Sequence, residues 1–256
     1  YFVHGTTYDN ASKKCSGWKQ VELNDLGKEQ AANLGKINAD TKFDIIFTSD
    51  LIRAIDSANI AFPDVPKIQD IKITLEILKL LGCKIKRNSG KIEINSKNIT
   101  KTEIADNLMR KMRSTVILAG ALLGRFKEVT FSYPGGCDIG SRPIDLHLNA
   151  FKKLGVEITE EAGFIKCKAN KIIGTNIDLD FPSVGATENI ILATVLSEGT
   201  TVINNAAMEP EIVDLVNYLK KMGAKIEGAG TISITIKGVK KLSGASYNIM
   251  PDRIEA

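Results

Sequence analysis

Three stretches of the chain carry apolar residues at helical spacing, stop at a glycine, and continue as alternating apolar and polar positions. They read LEILKLLGCKIKRNSGKIEI from Leu75, HLNAFKKLGVEITEEAGFIKCKA from His147 and DLVNYLKKMGAKIEGAGTISITI from Asp214. Apolar residues three and four apart line one face of a helix, so each stretch predicts an amphipathic helix. Gly82, Gly155 and Gly223 stand where a left-handed residue closes such a helix. The alternation that follows predicts two strands, broken by a second turn at Gly90, at Gly163, and at Gly228 with Gly230. The unit recurs roughly every 70 residues, too long a period for a solenoid but suited to one domain built from copies.

Between the copies, Arg113–Phe126 (RSTVILAGALLGRF) and Val184–Leu196 (VGATENIILATVL) are apolar nearly all round and predict buried helices. Each leads into a strand, VTFSY after the first and TTVINNA after the second. The first 62 residues lie outside this pattern. They predict a strand at Tyr1–Val3, a polar loop with Trp18, a helix at Leu26–Lys36, a strand at Phe43–Phe47 and a helix from Ser49. Two prolines in Pro63-Asp64-Val65-Pro66 mark an extended seam. The expected organisation is a short α/β fragment over 1–62 and a larger α/β domain over 63–256.

Composition adds only bounds. At 256 residues, 43% hydrophobic and 25% charged, the chain is expected to be soluble and globular. A net charge of +4 gives no reason to expect nucleic acid. The longest apolar run, Val116 to Gly124, is far short of a bilayer span, and no secretion signal is visible. Cys15, Cys83, Cys137 and Cys167 form no CxxC pair, which predicts reduced thiols in the cytoplasm and no structural metal.

The segment PGGCDIGSRPIDLH, Pro134–His147, concentrates the candidate chemistry. Glycines let a loop close over a ligand, a thiol near a fixed cation has a lowered pKa, and an arginine at a helix start suits a phosphate or carboxylate. By its residues alone the loop is either a tight turn around an inert thiol or such a ligand loop. Arg113 is equally a snorkelling helix-start residue or an anion ligand, and Ser183 an N-cap or part of an anion site. His147 reads as structural.

These motifs together, with Met112-Arg113-Ser114, DFPSVGATEN at 180–189, NAAMEPEIVDL at 205–215 and PDRIE at 251–255, resemble the UDP-N-acetylglucosamine 1-carboxyvinyltransferases, enolpyruvyl transferases of peptidoglycan synthesis. The resemblance covers about residues 63–256. It implies an inside-out α/β barrel domain of the enolpyruvyl transferase type, with pseudo-threefold helix-and-hairpin repeats. It also implies transfer of enolpyruvyl from phosphoenolpyruvate to the 3-hydroxyl of UDP-N-acetylglucosamine with release of phosphate, and no cofactor. Cys137 then matches the acid that protonates the methylene carbon. Arg142 and Arg113 match arginines that hold the phosphate and carboxylate. Arg142, Pro143, Ile144, Asp145 and Leu146 match the uridine-side stretch, and Ser183, Val184 and Gly185 the diphosphate loop.

The same resemblance implies a Lys-Asn pair ahead of the first buried helix, and a second domain carrying a base and another arginine. None of these is found in the chain, so it is expected to be incomplete and weakly active or inactive. The start is similar to the histidine phosphatases of the phosphoglycerate mutase type, through FVHGTTYDN and TSDLIRA. That similarity implies phosphomonoester chemistry at His4 with Arg53, although Val3 stands where that family has an arginine. Two partial resemblances meeting abruptly read as a fusion or chimera. A third expectation is a non-catalytic fragment that binds a UDP-sugar.

Overall fold

The structure, a computed structural model, describes residues 2–17, 19–41, 43, 46–49, 51–63, 67–68, 70–88, 91–135 and 144–250. The described chain divides into two compact units, one running to Glu76 and the other from Ile77 to Met250.

The first unit holds α1 (Tyr8–Ala11), α2 (Asp25–Ile37), β1 (Ile46–Phe47), α3 (Ile52–Ala61), β2 (Lys67–Ile68) and most of α4 (Asp70–Leu81). Thr7 caps α1 by accepting from the Asn10 N–H, and Asn24 caps α2 by accepting from the Gly27 N–H. Helices α2 and α3 meet closely: a Cβ on Gly35 would stand 2.2 Å from the Ala61 carbonyl oxygen. The strand expected at Tyr1–Val3 is absent at Phe2 and Val3, and Tyr1 lies outside the described residues. The apolar signal there has another use: the rings of Phe2, Phe43 and Phe62 cluster with centroids 5.0 to 6.1 Å apart. The strand expected at Phe43–Phe47 is seen at Ile46–Phe47, paired in parallel with Lys67–Ile68. Asp64, Val65 and Pro66 of the expected seam, and Trp18, lie outside the described residues.

The second unit continues through β3 (Lys84–Asn88), β4 (Lys91–Asn95), α5 (Asp106–Met109), a 3₁₀ turn at Arg113–Val116, α6 (Ile117–Phe126), β5 (Glu128–Ser132) and α7 (Asp145–Lys153). It then runs through β6 (Glu157–Glu161), β7 (Phe164–Lys168), β8 (Asn176–Asp178), α8 (Val184–Thr194), β9 (Thr200–Asn204), α9 (Pro210–Lys221), β10 (Lys225–Glu227) and β11 (Ser233–Lys237). The repeat is realised three times: α4 with β3–β4, α7 with β6–β7, and α9 with β10–β11, each hairpin antiparallel. Gly82, Gly155 and Gly223 all close their helices with positive φ. Gly90 lies outside the described residues.

The hairpins extend into sheets of order β5-β7-β6 and β10-β11-β9-β8. On β7, Ile165 and Cys167 face inward while Lys166 and Lys168 face water. On β11, Ile234 and Ile236 alternate in the same way with half-buried Thr235 and exposed Lys237. Helices α6 and α8 are the interior: five of the ten residues of α6, and seven of the eleven of α8, are buried. Gly120 and Gly124 bring the two backbones into contact. A Cβ at Gly120 would stand 2.3 Å from the Asn189 carbonyl oxygen, and one at Gly124 2.5 Å from that of Leu192. The helix expected over 113–126 opens as a 3₁₀ turn because the Thr115 hydroxyl donates to the Met112 carbonyl at 2.7 Å.

Candidate functional site

Cys137, Arg142 and Pro143 lie outside the described residues, as do Asp252 and Arg253. What the structure describes is the pair of anchors on either side of 136–143. Before it, the Gly135 N–H donates to the Met109 carbonyl at 3.3 Å, and a Cβ there would stand 2.0 Å from the Arg110 carbonyl oxygen. Only glycine fits so close to another backbone. After it, Ile144 is 2% exposed and its carbonyl accepts from the His147 and Leu148 N–H groups, which starts α7. Asp145 is exposed and Leu146 half-buried on the first turn.

Three helices converge on one polar side chain. Asn189, fully buried on α8, accepts from the Gly120 N–H at 2.7 Å and donates to the Val116 carbonyl at 3.0 Å. Its carboxamide thus brackets one turn of α6. The same nitrogen lies 2.7 Å from Nδ1 of His147 on α7. The His147 ring also lies against the first turn of α8, where a Cβ on Gly185 would be 3.3 Å from Cε1 and 3.7 Å from Nε2. Burial, aided by the positive charge of Arg113, pulls the His147 pKa down to about 4, so the ring is neutral at pH 7. Arg113, in the 3₁₀ turn, is half-buried.

Ser183 caps α8: its Oγ accepts from the Ala186 N–H at 3.3 Å, and its carbonyl accepts from the Thr187 N–H at 2.9 Å. Val184 and Gly185 follow as the first helical residues, half-buried. Of the expected substrate residues, Arg113, Ser183, Val184 and Gly185 are therefore brought to one place, with His147 between them. Farther along α8, burial and the nearby Glu211 raise the Glu188 carboxyl to about 7. Burial alone pushes the Cys167 thiol up to about 12, consistent with an inert core residue. Among the described residues no three His, Cys, Asp or Glu side chains group as a metal-binding set, and no helix is long and apolar enough to cross a membrane.

His4 and Arg53 meet in the first unit. Arg53 Nε donates to His4 Nε2 at 3.1 Å, and its two other nitrogens donate to the carbonyls of Lys19 (3.1 Å) and Gly17 (2.9 Å). His4 Nδ1 is 2.7 Å from the Gly5 carbonyl and must carry the proton. The Nε2 lone pair is thereby occupied, and each nitrogen of Arg53, which is 6% exposed, donates to an acceptor within the protein. A cavity of about 350 Å³ lies beside His4, Thr6, Gln30 and Ser57.

Comparison with known proteins decides the family. The model described as EPSP synthase (3-phosphoshikimate 1-carboxyvinyltransferase) matches residues 51–256. The chain belongs to that family. Curated relatives named UDP-N-acetylglucosamine 1-carboxyvinyltransferase 2 include one from Caldanaerobacter subterraneus subsp. tengcongensis, 55% identical over 75% of this chain and 46% of its own length. Another, from Carboxydothermus hydrogenoformans, is 50% identical over 79% of this chain and 48% of its own. The chain spans about half the length of these relatives. Among solved structures, the enolpyruvyl transferase NikO from Streptomyces tendae superposes with a TM-score of 0.64 at 19% identity, covering 88% of this chain and 51% of that one. This likeness shows that the family shares the fold of the enolpyruvyl transferases. A second model, the histidine phosphatase superfamily (branch 1), matches residues 2–74.

The residue missed in sequence is Asn189. It stands in the quoted DFPSVGATEN motif, but only its setting marks it: a fully buried carboxamide must find partners. His147, read as structural, is so at Nδ1.

Proposed function

We propose that residues 63–256 form the catalytic-cysteine domain of a UDP-N-acetylglucosamine 1-carboxyvinyltransferase, following a histidine-phosphatase-like fragment over 1–62. The observation that carries this is the convergence of Arg113, His147 and the Ser183–Gly185 helix start, in a chain 55% identical to a relative of that name. A helix start beside a guanidinium and a buried neutral donor suits a diphosphate. In this reading Ser183, Val184 and Gly185 hold the diphosphate of UDP-N-acetylglucosamine, and Arg142 to Leu146 line the uridine side. Arg113 and Arg142 neutralise phosphoenolpyruvate and orient it. Cys137 gives its proton to the methylene carbon as the sugar 3-hydroxyl, losing its own proton to a base, adds to C2. Loss of phosphate from C2 together with a proton from the new methyl carbon then restores the double bond. The reaction stands at the start of peptidoglycan synthesis, in the cytoplasm.

Phosphate release from phosphoenolpyruvate tests this. Release that requires UDP-N-acetylglucosamine and is lost in Cys137→Ala supports it, and no release at high protein concentration counts against turnover by this chain. Phosphatase chemistry at His4 gains nothing from the geometry, because its nucleophilic nitrogen already accepts from Arg53.

A further inference from the structure

We propose that His147 is a binding residue for the nucleotide-sugar diphosphate, its Nε2–H donating to the anion at the start of α8. The inference rests on the reading above and extends it to a side chain that the resemblance leaves without a role.

The argument begins in the backbone of α6. The Gly120 N–H can only donate and the Val116 carbonyl can only accept. Asn189 touches both, so its Oδ1 faces Gly120 and its Nδ2 faces Val116. That orientation cannot be reversed without losing both bonds. The atom presented to His147 is therefore the amide nitrogen, a donor, at 2.7 Å from Nδ1. Nδ1 must accept, and the imidazole proton is placed on Nε2. Burial and Arg113 keep a second proton off the ring at neutral pH.

The Nε2–H has no acceptor among the described residues, although His147 is only 6% exposed. It runs beside Gly185, whose missing Cβ would sit 3.7 Å away. Ser183 satisfies Ala186 and Thr187, which leaves the Val184 and Gly185 N–H groups at the helix start without a described acceptor. Three donors, two from backbone and one from a buried ring, thus share one place beside Arg113. A neutral donor fixed by a helix backbone adds direction without added charge, which suits an oxygen of a diphosphate.

Two variants separate binding from support. His147→Asn keeps an acceptor for Asn189 and removes the Nε2–H; His147→Gln keeps a donor near Nε2 and loses the Nδ1 acceptor. Calorimetric titration with UDP-N-acetylglucosamine is expected to show affinity reduced about tenfold in His147→Asn, with its Tm close to wild type. His147→Gln is expected to bind more tightly than His147→Asn while melting lower. A purely structural histidine gives the same melting order but leaves His147→Asn binding as tightly as wild type and His147→Gln binding no tighter than His147→Asn, and that result overturns the proposal. In long-range ¹H–¹⁵N spectra the free protein is expected to show the Nε2–H tautomer, shifting on titration with the nucleotide sugar; an Nδ1–H tautomer also overturns it. If the wild type binds and His147→Asn binds equally well, this inference alone fails. If the wild type does not bind, the functional reading fails with it.

Discussion

The side-chain amide of Asn189 donates to Nδ1 of His147 while bracketing a turn of α6 between Val116 and Gly120. One buried carboxamide therefore holds α6, α7 and α8 in register. Asn189→Ala leaves a backbone donor, a backbone acceptor and a ring nitrogen without this partner. The expected loss is about 2–5 kcal/mol in urea unfolding. Asn189→Asp retains only the bond from Gly120 and sets a carboxylate against Nδ1. The His147 pKa is expected to rise in that variant, read from its ring resonances.

His147 also sets an acid limit. Its pKa is about 4 when folded against 6.5 ordinarily, so between these values the unfolded chain binds a proton that the folded chain refuses. Its contribution is complete above pH 6.5 and is lost as pH falls toward 4. The loss amounts to about 3.5 kcal/mol at most, at ~1.4 kcal/mol per pKa unit. Unfolding midpoints measured from pH 7 to 4 are expected to fall less steeply in His147→Gln than in wild type.

Glu188 acts in the opposite direction. Its folded pKa is raised from 4.5 to about 7 by burial and then by Glu211. Stability linked to this carboxyl is greatest below pH 4.5 and declines as pH rises to about 7. Glu188→Gln removes the decline. A gain of about 1–2 kcal/mol at pH 8, with little change at pH 4, is expected after allowing for partial exposure.

Gly120→Ala sets two effects against each other. Alanine in a helix interior is worth about 0.5–1 kcal/mol over glycine. Here its Cβ would enter at 2.3 Å from the Asn189 carbonyl and 2.5 Å from Asn189 Oδ1. Overpacking of about 1–3 kcal/mol wins, and the Tm is expected to fall. An equal or higher Tm would show that α6 and α8 can separate at no cost.

The threefold repeat was legible because helix-closing glycines and strand pairs are local signals, and Gly82, Gly155 and Gly223 close their helices where the pattern placed them. The buried helices were legible because residues such as Leu122, Leu123, Ile190 and Ile191 leave no polar face. The Phe2 region was misread because an aromatic pair-and-a-half at a chain start looks the same whether its rings stack or its backbone pairs. The short β2 strand escaped notice just after Pro63 and Pro66, since its partner is Ile46–Phe47, far upstream, and nothing local announces it. At the candidate site, the N-cap at Ser183 was legible from its position ahead of a buried helix. The Asn189–His147 contact did not, because it joins residues 42 apart and exists only once α7 lies against α8.

The glycine seam between α6 and α8 has a consequence for how the second unit opens. With backbone set directly against backbone, the inner amides of these helices reach solvent only when the helices part. Their deuterium uptake should track global opening, whereas β6, exposed along nearly its whole length, can fray alone. The seam is thus expected to be the slowest-exchanging element of the second unit, and the proposed diphosphate cradle is mounted on the part of that unit that lets go last.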